Sequence, residues 1–219
     1  MTRQSIAAIN RNMHQNQPSL DTKRDKEAAI FEAACSVIRD KGFHQARIMD
    51  IAGRAGISYG LVYHYFRSKA HLFDAIFREW WSGIWAMMDR CEGLSSPIEE
   101  KLGEIAYYFL DLYDKRPDMI HVFITEISRS TANLKPGHLQ SFKDFFDRAE
   151  KMIARAQSHG ELRADVRARY LTYIFLGALE FFLSAMVLEN QPLKGRNQKK
   201  RIADGVLQVF FNGARRAQS

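Results

Sequence analysis

The chain has 219 residues, of which 46% are hydrophobic and 12% aromatic, so its composition is that of a folded globular protein and excludes wholesale disorder. Its formal net charge of +7 is uneven: residues 1–75 carry 11 Lys or Arg against 7 Asp or Glu, and residues 194–219 carry 7 against 1, whereas the intervening residues are slightly acidic. A basic N-terminal part favours an anionic partner, most simply nucleic acid, although a generally basic soluble protein would have a similar charge.

The N-terminal residues 1–20 are polar, rich in Asn and Gln and interrupted by Pro18, and we interpret them as a flexible arm. They lack the continuous apolar segment of a secretory signal. No run in the chain approaches the roughly 20 apolar residues of a membrane span. Only two cysteines occur, Cys35 and Cys91, without paired spacing, and we expect buried, unreactive thiols in a reducing compartment. The cytoplasm and no membrane contact are therefore expected.

A first helix is predicted over about residues 22–41. Its apolar residues recur at three- and four-residue spacing and form one face: Ala29, Ile30, Ala33, Ala34, Val37 and Ile38. Gly42 then supplies the left-handed residue at which helices commonly end. A helix of this length is suited to brace a small three-helix head.

The stretch from Arg47 to Lys69, RIMDIAGRAGISYGLVYHYFRSK, predicts a helix, a tight turn, a second helix and the start of a third. Ala52 is small, as two steeply crossing helices require, and Gly56 tolerates the positive φ of a turn. The apolar positions that would form the core of the head are Ile51, Ala55, Ile57, Val62 and Tyr65. The residues of the second helix that then point outward are Ser58, Tyr59, Gly60, Leu61, Tyr63 and His64.

This outward face is the candidate DNA-binding surface. Hydroxyl groups, an imidazole and aromatic rings beside a bare glycine backbone can contact base edges, thymine methyls and phosphates in a major groove. Arg67 and Lys69 stand at the start of the next helix, where a basic side chain and the helix N-terminus together attract phosphate. Arg47, before the first helix of the pair, is placed to do the same on the other side of the groove.

The run GFHQARIMDIAGRAGISYGLVYHYFRSKAHLFDAIF resembles the DNA-binding head of the TetR/AcrR family of bacterial transcriptional regulators. DIA, AGIS followed by glycine, YHYF and SK with leucine three residues later stand at the family's intervals over about residues 24–78. The resemblance implies DNA contacts at these positions: Ser58, Tyr59, Gly60, Tyr63, His64 and Lys69.

Four positions depart from the family's pattern. The family often has hydroxyl residues where this chain has Ala46 and Arg47, commonly Lys where it has Tyr59, and often Thr where it has Leu61. The last two changes should alter which bases are read. We therefore expect this protein's own sequence preference to depend on Tyr59 and Leu61.

The rest of the chain predicts six further helices, separated at prolines or glycines. They run from the Ser68 cap to about Arg90, from residues 95–97 to about Asp114, from residues 116–118 to about Ser130, from residues 135–137 to about residue 160, from Asp165 to about Glu189, and from about Lys194 to Ala214. The fold class is all-α, with about nine helices: an N-terminal helix-turn-helix head, residues 21–68, and a C-terminal ligand-binding and dimerisation body, residues 69–219. We expect Trp81 and Trp85 to pack between head and body.

The middle helices hold more bulky rings than a small bundle core needs, which indicates a lined cavity or a dimer face. By the resemblance, a pocket lies between the middle helices, and the last two helices form the dimer. FITEISRS, HGELR and FLGALEFFLSAMVLEN are similar to the family members that control fatty-acid degradation and bind long acyl-CoA. The candidate effector-binding residues are Tyr107, Phe123, Glu126, Arg129, Phe146, Phe175 and Glu180.

Two of these candidates have alternative interpretations. Glu180, in the longest apolar run, is expected to bind a ligand, to bond across a dimer interface or to reach solvent past the bundle edge, since burying a lone carboxylate is costly. Glu126 and Arg129 are three residues apart and form either a local ion pair or a polar rim on the pocket.

The sequence therefore predicts a homodimeric, ligand-responsive repressor that binds a palindromic operator and is released by an apolar or amphipathic effector, with long-chain acyl-CoA as first candidate and planar drugs or aromatic metabolites second. The alternatives are an enzyme or carrier that uses the cavity, and a non-specific architectural DNA-binding protein. The 7 His residues lack metal-ligand spacing, and no phosphate loop or nucleophile motif occurs, so we expect no enzyme, no cofactor and no metal.

Overall fold

The computed structural model describes residues 23–128, 136–193 and 195–214. Within these ranges the fold is all-α, with nine α-helices and no strand, which confirms the predicted class. The helices are α1 (Lys23–Gln45), α2 (Ile48–Ala55), α3 (Tyr59–Tyr65), α4 (Lys69–Gly93), α5 (Ile98–Lys115), α6 (Pro117–Val122), α7 (Pro136–Ser158), α8 (Ala168–Leu188) and α9 (Gly195–Ala214), and α6 continues into a π-helical turn, Phe123–Ser128. The predicted arm, residues 1–20, and Arg129 lie outside the described residues.

Helices α1 to α3 form the head around a buried apolar centre, in which Ile30, Ile51 and Val62 are at most 1% exposed. Helix α2 ends because Gly56 adopts a left-handed conformation, with φ 68°, and the backbone N–H of the next residue, Ile57, donates to the Ala52 carbonyl at 3.1 Å. The chain then enters α3 directly. The tight turn predicted from Ala52 and Gly56 is thus present in the structure.

Helix α4 connects the head to the body without a break. Ser68 caps it, since its Oγ accepts from the backbone N–H of His71 at 3.0 Å. In its first two turns Phe73 packs on Phe43 of α1, with ring centroids 4.6 Å apart. Two turns after Phe73 the side chain of Trp80 stacks on Phe123 of the body. The predicted boundary between residues 68 and 69 therefore lies at the start of a helix that both parts share.

The body consists of α5 to α9 packed on the distal part of α4. Lys199 of α9 donates to Asp111 at 2.8 Å and to Asp114 at 2.7 Å, and so attaches the last helix to α5. The two carboxylates raise the pKa of this ammonium. Tyr113 of α5 donates to the Gln191 carbonyl at 2.7 Å, which fixes the loop between α8 and α9.

Gly42 interrupts the first helix, as predicted: its backbone is non-helical (φ 74°, ψ 158°), and the helical range continues after this break to Gln45. Two other predicted boundaries need correction. The sixth helix changes to π-helical geometry at Phe123. Helix α8 starts at Ala168 instead of Asp165, and the Asp165 carboxylate accepts from the guanidinium of Arg163 within the preceding loop at 2.7 Å.

Helix α8 also corrects the expectation about long apolar runs. Its 21 residues are long and apolar enough to cross a membrane, and an 18-residue window within them has a mean hydropathy of 1.9. A core helix of a soluble protein passes the same test, and one face of α8 packs on α7 and α9. The other face leaves Ile174, Phe181 and Leu188 58%, 72% and 75% exposed. Exposed apolar surface of this kind is typical of interaction sites.

Candidate nucleic-acid interface and ligand cavity

The predicted DNA-contact residues of α3 lie together on one exposed face. Tyr59 and Tyr63 are 52% and 40% exposed, Ser58, Gly60 and His64 are also exposed, and Leu61 is half-buried at the edge. Val62, on the opposite side, is fully buried and holds the helix on the head. The helical period thus separates a packing face from a face of polar and aromatic groups.

Two hydrogen bonds organise this face. Ser58 caps α3, because its Oγ accepts from the backbone N–H of Leu61 at 3.3 Å, and its own hydroxyl proton stays available as a donor. Tyr59 donates to the Tyr63 hydroxyl at 3.4 Å, and this bond raises the pKa of the Tyr59 phenol. The two rings meet edge to face with centroids 5.0 Å apart. Neutral phenols in a fixed pair can both donate to and accept from base edges.

Lys69 and Arg47 border the same face. The Lys69 ammonium donates to the carbonyls of Phe43 and His44, both at 2.9 Å, and lies 4.7 Å from the centre of the Phe43 ring. An ammonium has three protons, so one donor remains for a phosphate. Arg47 is exposed at the N-terminus of α2. Lys69 therefore also holds the end of α1 against α4, a structural role that the sequence pattern did not indicate.

The body contains a cavity of about 320 Å³ between α4, α5, α6, the π-helical turn, α7 and α8. Its walls are almost wholly apolar and aromatic, and among the described residues that line it there is no Lys or Arg. Phe123, Phe146 and Glu180, three of the predicted effector residues, lie in its wall. Ser184 donates to Glu180 Oε1 at 3.0 Å. Of the alternatives for Glu180, the structure places it on the cavity side of α8.

The other predicted effector residues lie elsewhere. Tyr107 faces α9, with its ring 5.7 Å from Lys199 Nζ, and Phe175 packs on Phe210 with centroids 5.4 Å apart. Glu126 points to the head: its Oε1 is 3.6 Å from the position a Cβ would occupy on Gly42. A helix buried on several sides carries apolar residues all round, so the sequence could not show which of them faced the cavity. Arg129 is not among the described residues.

Trp80 and Trp81 are cavity residues that sequence reasoning missed. Trp80 stacks on Phe123 at 3.8 Å between ring centroids, and Trp81 meets Phe142 of α7 edge to face at 5.1 Å. Trp81 and Trp85 also stack on each other, at 5.1 Å. The expectation that these two rings pack between head and body was wrong, since the ring of Trp81 packs inside the body. The helical spacing of Trp80, Trp81 and Ile84 on one side of α4 was the available signal.

Ion pairs connect the head to the helix that leads into the cavity wall. Arg116, before the first residue of α6, donates to Glu32 of α1 at 2.9 Å, and Arg39 of α1 forms an ion pair with Asp118 of α6. His121, one turn further on, is half-buried, and burial lowers the pKa of its imidazole. A shift of the cavity wall at Ile120 or Phe123 would therefore reach the head through α6.

Metal chemistry has no candidate in the described ranges, where no group of three or more His, Cys, Asp or Glu could hold an ion. A three-helix head with an exposed recognition face, set on a helical body with an apolar cavity, is the arrangement typical of helix-turn-helix transcriptional regulators.

Residues 30–76 match the model of the bacterial regulatory proteins of the tetR family. The fatty acid metabolism regulator protein of Bacillus subtilis is 22% identical over 191 residues, which cover 87% of this chain and 96% of that protein. Two crystal structures share the fold: the regulator FadR from Bacillus subtilis in complex with stearoyl-CoA (TM-score 0.71, 21% identity, 85% of this chain and 98% of that one) and AibR in complex with isovaleryl coenzyme A and operator DNA (TM-score 0.69, 21% identity, 85% and 98%). Residues 30–76 of the head therefore match the tetR-family model, and the whole chain is similar in sequence and fold to regulators such as these.

Proposed function

We propose that the protein is a homodimeric transcriptional repressor that leaves a palindromic operator when a small apolar or amphipathic effector enters the body cavity. The observation that carries the proposal is the pairing of the exposed α3 face with an apolar cavity in one continuous helical framework. In each protomer α3 would enter a major groove, where Tyr63, His64 and the half-buried Leu61 reach base edges and Arg47 and Lys69 reach phosphates. The proposed border between head and body stays at residues 68 and 69, and the cytoplasm is its proposed location.

The proposed dimer uses α8 and α9. Their exposed apolar residues include Phe181 and Leu188 of α8 and Val209 of α9, which is 77% exposed. A groove between the two helices is lined by Ile174, Phe182, Ile202 and Val206, among others. Pairing such a face with its own copy removes the apolar surface from water and gives two-fold symmetry, which in turn requires a palindromic site.

The proposed effector has a long apolar part. A wall of rings in a cavity of about 320 Å³ suits a chain or a flat ring system. Among proteins with this fold, FadR from Bacillus subtilis was crystallised with stearoyl-CoA and AibR with isovaleryl coenzyme A. An acyl-CoA is therefore our first candidate, with long chains as the initial choice, and aromatic metabolites or planar drugs come second. Effector binding would favour a head arrangement that no longer fits the two half-sites.

The test is enrichment of bound duplexes from a random DNA library, followed by gel shift at about 150 mM salt against an unenriched duplex. We expect a palindrome to be enriched, and Tyr63→Ala to weaken its binding about 10-fold, as loss of a base contact does. Lys69→Ala should weaken both duplexes. The control is Leu139→Ala, an equally exposed apolar residue of the body. Equal affinity for enriched and random DNA would favour the architectural alternative.

The release by effector is tested with the same enriched duplex. Addition of acyl-CoA thioesters of several chain lengths should release it, and mass spectrometry should find an apolar molecule in ligand extracted from the purified protein. Only hydrophilic molecules in that extract would count against the effector class. Turnover of the ligand would support the enzyme or carrier alternative, which the names of the relatives, all regulators, disfavour.

A further inference from the structure

The body cavity opens to solvent between α7 and α8. Of the described residues in its lining, Tyr173 and Gly177 are exposed, and both belong to α8. A Cβ placed on Gly177 would meet no atom within 4 Å, so the space beside this residue is open. Phe146 of α7 is half-buried, also lines the cavity and lies against Tyr173. These three residues define the α7–α8 opening, in which the glycine leaves the space that a larger residue would fill.

Contacts beside Gly177 hold the α7–α8 opening in place. One turn earlier on α8, Tyr173 meets Phe146 edge to face, with ring centroids 5.5 Å apart. The guanidinium of Arg169 lies 5.7 Å from the centre of the Tyr173 ring and donates to Asp147 of α7 at 2.6 Å. A ring held from two sides does not need to be ordered when a ligand binds. The opening is therefore a preformed feature of the contact between the two helices.

A carboxylate borders the opening on its other side. Glu180 lines the cavity and stands three residues after Gly177, so the two residues are neighbours on the surface of α8. Its Oε1 accepts from Ser184 at 3.0 Å, which orients the side chain. A carboxylate has acceptor sites on both oxygens and no donor. A polar group of a ligand is therefore stabilised beside Glu180 when it carries an O–H or N–H donor, whereas a ligand carboxylate would meet a like charge.

The rest of the lining decides which end of a ligand lies inside. The walls away from Glu180 are almost wholly apolar and aromatic, so the apolar end of an amphipathic molecule is favoured there. An apolar cavity of about 150 Å³ holds a benzene ring, which corresponds to about 25 Å³ per non-hydrogen atom. By that measure 320 Å³ holds about a dozen such atoms. A longer molecule would extend outward through the α7–α8 opening.

The α7–α8 opening lies apart from the groove proposed as the dimer contact. That groove lies between α8 and α9 and is lined on α8 by residues such as Ile174, Ala178 and Phe182. Gly177 and Glu180 instead line the cavity, and the two linings share no described residue. Pairing of two copies through the groove does not require the opening to be covered.

We propose that a ligand enters the body cavity through the opening at Gly177 with its apolar end first, and that Glu180 selects a polar end that carries an O–H or N–H donor. This inference rests on the proposed function only in taking the cavity as the effector site. It adds the route of entry and the hydrogen-bonding character of the part of the ligand that lies in the opening.

The first test compares nonan-1-ol with its isomer methyl octyl ether, which has the same atoms but no donor. Both compete on the full-length protein with 6-propionyl-2-(dimethylamino)naphthalene, a neutral fluorescent probe without a donor. In the wild type we expect the alcohol to bind about tenfold more tightly than the ether, as a hydrogen bond to a charged group provides. Glu180→Met should reduce this ratio to less than about twofold. Glu180→Gln keeps a carbonyl acceptor and should retain a ratio of about threefold.

Octanoate and a second carboxylate serve as controls for the same measurement. Octanoate should bind more weakly than the alcohol in the wild type and about fivefold more tightly in Glu180→Gln, because the like charge is removed. Glu104→Met removes an exposed carboxylate of α5 that does not line the cavity, and it should leave all ratios unchanged.

The second test measures the route of entry by stopped-flow fluorescence of the probe. Gly177→Leu places a side chain in the opening and should slow association and dissociation of the probe at least about tenfold each, with an affinity within about threefold of the wild type. Gly53→Leu is the matched control, because this helical glycine of the head also has open space around it. Its rates should equal those of the wild type.

Unchanged rates in Gly177→Leu, or a lower affinity with unchanged association, would overturn the route of entry. A wild type that binds the ether as tightly as the alcohol would overturn the role of Glu180, and if Glu180→Met does not fold, that ratio and Glu180→Gln decide. No operator DNA enters these measurements. Ligands that bind as expected but release no operator would therefore contradict the effector part of the proposed function and leave this inference intact.

Discussion

Arg116 Nε donates to the carboxylate of Glu32 at 2.9 Å and thereby joins the start of α6 to the middle of α1. The Arg39–Asp118 pair makes a second connection between the same two helices. Both pairs lie close to the solvent, so their contribution to the free energy of unfolding is small, at most about 1 kcal/mol each. Because they lie between a cavity wall and the head, we expect them to act in coupling the two instead.

The first prediction follows from these pairs and from the proposed effector response. Arg39→Gln combined with Arg116→Gln should reduce the effector-induced loss of operator affinity at least about threefold, because the link through α6 is weakened. The effector affinity itself should change less than about twofold. Gel shift with and without effector measures the first quantity, and probe displacement the second.

Arg148→Gln is the matched control for that experiment. Arg148 forms a similar double pair, with Asp89 and Glu92, at 2.7 and 2.8 Å, but both partners are in the distal part of α4. Its loss should leave the coupling as it is. An equal decrease in this variant would mean that the head–body pairs have no special part in the response.

The second prediction concerns the proposed dimer. Phe181→Asp in α8 should convert the protein to monomers, because it places a charge in an apolar interface without a partner. Met49→Asp is the control, since Met49 is 65% exposed and apolar but lies on the head. Sedimentation equilibrium measures both. A wild-type monomer, or a Phe181→Asp dimer as stable as the wild type, would exclude this face.

The third prediction tests the packing of α4 on α5. A Cβ on Gly83 would overlap the hydroxyl of Tyr108, whereas the ring carbon that carries this hydroxyl is 3.6 Å away. Gly83→Ala alone should therefore lower the free energy of unfolding, despite the better helix propensity of alanine. Gly83→Ala with Tyr108→Phe removes the overlap and should be about 1 kcal/mol more stable than Tyr108→Phe alone.

Urea denaturation at one protein concentration gives these values. Gly53→Ala is the control, because nothing lies within 4 Å of a Cβ there and only the propensity gain applies. A stabilising Gly83→Ala on its own would show that the Tyr108 hydroxyl moves aside at little cost.

The fourth prediction concerns the cysteines. Cys35 is fully buried, and burial raises the pKa of its thiol to about 12. Because a raised pKa lowers the thiolate fraction at any given pH, and the thiolate is the nucleophile, Cys35 should resist iodoacetamide at pH ~8. Burial also raises the pKa of Cys91. Mass spectrometry should find both cysteines unlabelled in the folded protein and labelled in guanidinium.

An exposed cysteine introduced by Leu94→Cys provides the positive control, since Leu94 is 41% exposed. Labelling of Cys35 at the rate of that residue would show that α1 opens readily in the native protein.

The head could be predicted from sequence because its determinants are local. Gly56 and Ser58 specify a turn and a cap within three residues, and the buried Val62 follows from helical spacing. The body depends on distant partners. Lys199 is buried because its ammonium donates to Asp111 and Asp114, which lie more than 80 residues earlier in the chain. No local sequence pattern predicts these contacts.

The cavity shows the same limit on one helix. Phe175 and Glu180 lie in one apolar run, yet Glu180 lines the cavity and Phe175 packs on α9. With apolar residues on every side, periodicity predicts a buried helix without saying which neighbour each face meets. The π-helical turn at Phe123 likewise has no residue-level signal such as proline or glycine.

Because α4 is one continuous helix, the distance along it from the cavity to the head follows from helix geometry. From Trp81 in the cavity wall to Lys69 at the head is about 18 Å at 1.5 Å per residue. A tilt of about 10° at the cavity therefore moves the head by about 3 Å, close to the rise of one base pair. In the proposed symmetric dimer the two displacements would add to nearly two base pairs. A rearrangement no larger than a side chain at Trp81 would then be sufficient to take both heads out of register with half-sites one helical turn apart.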